Sequence, residues 1–220
     1  MNFIFIILTF LISAVIARIL IPRILLISLR KKLFDIPDDR KIHKRAIPRL
    51  GGVSFFPTTL FAFCLVYAFR LLDGDSISTL YASYLLPELL LFACGMTLLY
   101  LTGIADDLVG VRYRQKFAIQ IFCACLFPLS GLWINDLYGL FGIHELSAYV
   151  GIPFTVLTVV FITNAINLID GIDGLASGLS SVALLVFTFL FISKGLWSYA
   201  MLSAGTFGVL VPFFYYNVFG

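Results

Sequence analysis

Apolar residues run in long blocks along this chain, and polar residues gather in short clusters between them. A helix needs about 20 mostly apolar residues to cross a bilayer. On that rule the blocks predict spans near residues 2–22, 52–72, 86–105, 117–134, 149–166, 175–193 and 196–217. The expected fold is therefore all-α: a polytopic membrane helical bundle of about seven transmembrane helices, forming one domain over residues 1–220. There is no internal repeat and no stretch that reads as a soluble domain.

Composition agrees with the pattern. The chain is 61% hydrophobic and 12% charged, with a mean hydropathy of +1.05, against roughly 25% charged residues in ordinary soluble domains. No positive charge precedes Phe3, and the run from Phe3 to Ala17 passes Arg18 without a cleavage site, so the first block reads as a retained span and not a signal peptide. Cys64, Cys94, Cys123 and Cys125 lie in apolar runs without metal-ligand spacing and read as small core residues outside any disulfide.

Charge placement sets an orientation. Eight basic residues (Arg30, Lys31, Lys32, Arg40, Lys41, Lys44, Arg45, Arg49) follow the first span, and Arg112, Arg114 and Lys116 follow the third, eleven of the fifteen in all. The positive-inside rule puts both segments in the cytoplasm and the N-terminus outside. By parity, spans 1, 3, 5 and 7 then end on the cytoplasmic face, and so do the polar clusters at their ends. The segments 73–84 and 135–148 read as outer connectors, with His144 a solvated loop residue.

Three of the clusters carry candidate chemistry. Asn164, Asn167, Asp170 and Asp173 recur every third residue, a spacing that brings neighbours together on a helix surface. Gly171 and Gly174 break that helix and allow close backbone approach to a ligand. Acids flanked by glycines and long apolar runs point to a cation or a phosphate-bearing substrate; a polar turn held by its own hydrogen bonds is the simpler alternative. Asp106 and Asp107 are adjacent like charges and natural oxygen ligands for Mg²⁺, with Lys116 ready to neutralise a phosphate or one of the acids; a solvated acidic pair at a helix end is the alternative. The third cluster, from Asp35 to Gly52, is basic and restrained by Pro37 and Pro48, and its Gly51-Gly52 pair opens the second span with amides that can meet phosphate. A headgroup-binding loop would look the same. Carboxylates, cations and glycines together suit phosphoryl transfer. No protease constellation and no zinc spacing can be assembled, and no nucleic-acid partner is expected.

These motifs resemble the polyprenyl-phosphate N-acetylhexosamine-1-phosphate transferases. The resemblance rests on Asp35-x-Pro-x-x-Arg40-Lys-x-His43-x-x-x-Ile-Pro48-x-x-Gly-Gly52, on Gly103-x-x-Asp-Asp107 with Lys116 and Gln120, and on Asn164-x-x-Asn-Leu-Ile-Asp-Gly-Ile-Asp-Gly-Leu175, in that order. It implies transfer of a sugar 1-phosphate from a cytoplasmic UDP-N-acetylhexosamine to a membrane polyprenyl phosphate, with release of UMP and a need for Mg²⁺, Mn²⁺ being an alternative. Carried over by position, Asp106, Asp107, Asp170 and Asp173 are the catalytic and metal-binding acids. Arg40, Lys41, His43, Gly51, Gly52, Lys116, Asn164 and Asn167 are the substrate-binding residues. The Arg40-Lys-x-His43 and Ile47-Pro48 pattern is closest to the undecaprenyl-phosphate GlcNAc-1-phosphate branch, which implies a start to a cell-envelope glycopolymer such as cell wall or lipopolysaccharide. The muramoyl-pentapeptide branch is the alternative. The implied setting is multi-pass in the plasma (inner) membrane with a cytoplasmic active site, and a homodimer is among the options. In the family, a Met-Gly-Asp-x-Gly-Ser type loop carrying the main metal aspartate follows the span that ends like Phe214-Tyr-Tyr-Asn217. The sequence given ends at Gly220, so the expectation is a truncated chain without the last third of the fold, inactive alone. A transporter would place its acids near the bilayer midplane, and a lipid-binding scaffold would leave the paired aspartates unexplained.

Overall fold

A computed structural model of the chain describes residues 2–31, 34–35, 47–48, 51–73 and 76–219. Among the described residues seven α-helices run in order: α1 (Asn2–Arg30), α2 (Phe55–Leu72), α3 (Ser76–Val109), α4 (Tyr113–Leu129), α5 (Ala148–Ile169), α6 (Leu175–Ser193) and α7 (Trp197–Phe219). Between α1 and α2, the two-residue strands β1 (Phe34–Asp35) and β2 (Ile47–Pro48) pair antiparallel, Phe34 opposite Pro48 and Asp35 opposite Ile47. Among the described residues, six helices are long and apolar enough to cross a membrane: α1, the segment Gly51–Leu72, the segment Leu85–Val109, α5, α6 and α7. The protein is thus an all-α polytopic membrane protein.

Boundaries differ from the sequence expectation in instructive places. Helix α1 runs on to Arg30, through Arg18, Pro22 and Arg23. Helix α3 begins at Ser76, inside a segment expected to be a loop. Helix α4 starts at Tyr113 and stops at Leu129, short of residue 134. Its 17 residues rise only about 25 Å, and its first turns carry Arg114, Gln115 and Lys116. The connector after it is more ordered than expected: Leu137 N–H donates to His144 O (3.0 Å) and Leu146 N–H to Asn135 O (2.8 Å), so that the backbones at Asp136 and Glu145 pair antiparallel. His144 is exposed in it, as expected.

The chain divides into two units, Met1–Asp75 with Ile169–Gly220, and Ser76–Leu168. In the first, α7 packs most extensively on α1, then on α6 and α2. Phe3 meets Trp197 (ring centroids 5.5 Å) and Phe10 meets Phe207 (5.4 Å), so α1 and α7 run parallel. Phe55 meets Phe213 at 4.7 Å, while Arg70 Nη1 donates to Ser198 Oγ (3.4 Å), so α2 is antiparallel to α7. Helix α6 is antiparallel too: Phe191 lies 5.5 Å from Tyr199, and Ser203 Oγ donates to Leu184 O (2.8 Å).

Small side chains make this packing possible. The buried stripe of α1 is Ile6, Thr9, Ser13, Ala17, Ile21 and Ser28, steps of three, four or seven that mark one helix face. Facing it on α7 are Ala204, Gly205, Gly208 and Val209. A Cβ on Gly208 would sit 2.5 Å from the Phe10 carbonyl oxygen, and one on Gly205 2.9 Å from Thr9 Cγ2. Large apolar residues of α1 (Phe3, Ile4, Ile7, Leu11, Val15, Ile19) are exposed instead. Lipid is as apolar as leucine, so membrane helices pair through close contact of small residues. The cysteines follow the same logic and correct the expectation that all are core: only Cys123 is buried, while Cys64, Cys94 and Cys125 are exposed, and all four are free thiols.

In the second unit, α3 packs on α4. Cys123 Sγ lies 3.5 Å from Gly95 O at that contact. Near its other end, Ile134 N–H donates to Thr155 Oγ1 on α5 (2.8 Å).

Candidate active site

In the first unit the turn 170–174, between α5 and α6, carries two of the expected acids. Helix α5 ends at Ile169, so the every-third-residue series is helical only for Asn164 and Asn167, and Asp170 and Asp173 sit on the turn. Gly174 (φ 76°) starts α6 in the left-handed region, and a Cβ there would meet Val218 Cγ2 at 2.5 Å. Only glycine fits both demands. Gly174 N–H donates to Asn217 Oδ1 at the end of α7 (2.5 Å), which ties the turn to that helix.

Asp170 and Asp173 are both exposed. The pKa of Asp170 is nevertheless raised, first by protein crowding its carboxyl and then by the like charge of Asp173. Gly51-Gly52 form a 3₁₀ turn into α2, at the same end of this unit. Gly51 lies against Phe213 and Gly174 against Phe214, so consecutive residues of α7 support both glycine sites; a Cβ on Gly52 would meet nothing. Of the remaining expected residues in this unit, Arg40, Lys41 and His43 lie outside the described residues. The β1–β2 pair brings together the backbone on either side of them.

In the second unit Asp106 and Lys116 form an ion pair (Nζ–Oδ2 2.7 Å) across the α3–α4 junction. The other oxygen of Asp106 accepts Val111 N–H at 3.0 Å. Gly110 (φ 74°) lets α3 end there. Asp106 thus holds the junction together, where the sequence pointed to a metal ligand, and Lys116 neutralises an acid. Asp107 is partly exposed beside it. Further along, Asn164 Nδ2 donates to Gln120 Oε1 (2.8 Å) and to Val160 O (2.8 Å), joining α5 to α4. Gln120 is buried, whereas Asn167 is exposed. Within either unit, among the described residues, no three His, Cys, Asp or Glu side chains gather as a metal centre.

Sequence reasoning gave no role to Val111, Asn217 or the Phe213-Phe214 pair. Asn217 alone carried a signal, being a polar residue at the close of an apolar run.

A family model described as glycosyl transferase family 4 matches residues 89–220. The chain is 29% identical over 213 residues to the Bacillus subtilis protein named "Probable undecaprenyl-phosphate N-acetylglucosaminyl 1-phosphate transferase", covering 96% of this chain and 55% of that one. It is 29% identical over 228 residues to the phospho-N-acetylmuramoyl-pentapeptide-transferase of Staphylococcus carnosus, 97% of this chain and 65% of that one. It is 30% identical over 168 residues to an undecaprenyl-phosphate alpha-N-acetylglucosaminyl 1-phosphate transferase of Thermotoga maritima, 76% and 47% respectively. The chain thus spans about half to two thirds of the length of these relatives. With a family match over more than half its residues, on a fold of apolar helices that end in acid- and glycine-bearing turns, this chain belongs to glycosyl transferase family 4.

Proposed function

We propose that this chain serves a transferase that moves a sugar 1-phosphate, GlcNAc-1-phosphate, from a UDP-sugar to polyprenyl phosphate at the cytoplasmic face of the plasma membrane. The observation that carries the reading is the turn 170–174: two exposed, mutually repelling carboxylates held by Asn217 and glycine at the end of apolar helices. Such a turn invites a cation and, through it, a diphosphate. In the reaction a lipid phosphate oxygen attacks the sugar-bearing phosphorus, a new P–O–P bond forms, and the bond to UMP breaks. Catalysis here is mostly positioning and charge neutralisation.

Asp170 and Asp173 have the hard oxygen donors that Mg²⁺ requires. Asp106 fits a metal poorly, because Lys116 and Val111 N–H already engage its two oxygens. Bound at the turn, Mg²⁺ would neutralise charge on the diphosphate. Of the adjacent acids, Asp107 receives the role of positioning or deprotonating the lipid phosphate, with Asp106 and Lys116 fixing the junction that presents it. The eight basic residues between Arg30 and Arg49 support a cytoplasmic reaction face.

The test is UMP release from UDP-GlcNAc by the intact protein in membranes. Asp107→Asn is expected to lower kcat by about 10²-fold or more, while Asp106→Asn, which breaks the pair with Lys116, lowers Tm. Full turnover by Asp107→Asn would remove that role. The equal identity to a muramoyl-pentapeptide transferase supports a second donor, UDP-MurNAc-pentapeptide; competition between the two UDP-sugars in the same assay decides.

A further inference from the structure

We propose that Arg18, held over Tyr215 and Tyr216, is a binding site for the phosphate of an anionic membrane lipid. The inference rests on the packing of α1 against α7 and stands apart from the transfer reaction.

The Arg18 guanidinium lies 5.5 Å from the centre of the Tyr215 ring and 5.8 Å from that of Tyr216. The ring faces attract its charge, and among the described residues no oxygen accepts from its five N–H groups. Among the described residues it has no carboxylate partner, although it is carried by a membrane-spanning helix and is exposed. A guanidinium in such a position needs an anion or water.

Its depth identifies the anion. Trp and Tyr mark the two membrane interfaces, and α7 has Trp197 at one end and Tyr215-Tyr216 near the other. Eighteen residues of helix rise about 27 Å, close to the hydrocarbon thickness of about 30 Å. Phe3 of α1 packs on Trp197 just as Arg18 packs on Tyr215, so the same two levels are repeated on the parallel helix. Arg18 therefore lies at the level of the headgroup phosphates. Beyond it, α1 runs about another 18 Å with Arg23 and Arg30 exposed, a basic continuation that favours negative lipids. Arginine matches phosphate geometry with paired N–H donors, and the two tyrosine rings hold the guanidinium in place in advance.

The lipid is either bulk anionic phospholipid or a polyprenyl phosphate, and lipid binding followed by native mass spectrometry on the purified protein separates the two. With phosphatidylglycerol as probe, Arg18→Gln is expected to weaken retention about fivefold, the factor one basic residue contributes at an anionic surface, with phosphatidylcholine unaffected. A parallel loss with polyprenyl phosphate assigns the site to lipid phosphate in general, and a loss with polyprenyl phosphate alone assigns it to that lipid. Equal retention of both anionic lipids by Arg18→Gln and wild type overturns the proposal. Should Arg18→Gln fail to insert, the Tyr215→Leu/Tyr216→Leu variant keeps the charge and removes the platform: weaker retention of an anionic lipid supports the site, and unchanged retention overturns it.

Discussion

Both oxygens of Asp106 are engaged inside the protein, while Asp170 sits beside a carboxylate of the same sign. Two acids from similar sequence settings therefore do opposite work. Crowding and then Asp173 raise the pKa of Asp170 above 3.8, so just above that pH the folded chain holds a proton that the unfolded chain has released. Its contribution to stability is greatest below pH 3.8 and falls as pH rises through the raised pKa. At neutral pH ionised Asp170 opposes folding. Asp170→Asn is thus expected to raise Tm slightly at pH 7 and to lose that advantage in acid. Millimolar Mg²⁺ is expected to raise Tm of the wild type and leave Asp170→Asn unmoved. Thermal unfolding in detergent at two pH values, with and without the ion, measures both; a lower Tm for Asp170→Asn at pH 7 contradicts the assignment.

At the scale of helices, the inward faces are rich in glycine, alanine and hydroxyl residues with a few large apolar ones such as Ile21 and Met201, and the outward faces carry most of the leucine, isoleucine and phenylalanine. Hydropathy finds such helices well, because lipid demands apolar residues all round, although it also counted α4, which is not among the six helices long and apolar enough to cross a membrane. It does not read which face packs, since there is no polar side to find. Gly205 and Gly208 thus gave no signal, although the α1–α7 contact depends on them. Hydropathy also missed where helices end. Helix α1 continues through three arginines because a helix needs no lipid to persist, and α4 stops where Gly131 (φ 92°) turns the chain. Gly208→Ala is expected to cost about 1–3 kcal/mol through overpacking against the Phe10 carbonyl, seen as a lower Tm. A Tm at or above wild type would mean that α7 can back away from α1 freely.

For the whole molecule, the motif residues were legible because acids and glycines are conspicuous in an apolar chain. Their division of labour was legible only in part: the sequence offered Lys116 for a phosphate or one of the acids, and only folding selects Asp106 and shows that Asn217 reaches Gly174. The exposed thiols test the membrane setting. Cys64, Cys94 and Cys125 face outward from α2, α3 and α4, and a thiol in hydrocarbon forms little of the reactive thiolate. In sealed membranes a water-soluble maleimide is expected to label none of the three appreciably, and all after SDS; prompt labelling of Cys125 would place short α4 outside the bilayer. The parallel pairing of α1 with α7 also has a consequence in time. At 5–20 residues per second of synthesis, the stretch separating them delays their meeting by on the order of ten seconds to half a minute. Through that interval the small-residue seam of α1 waits in lipid without its mate. It is suited to the wait, because Thr9 Oγ1 donates to Phe5 O within its own helix (2.7 Å) and little of the seam needs a neighbour to satisfy it. The helix made early is a template that stays open until its complement emerges, and unit Met1–Asp75 with Ile169–Gly220 is finished only by that late arrival.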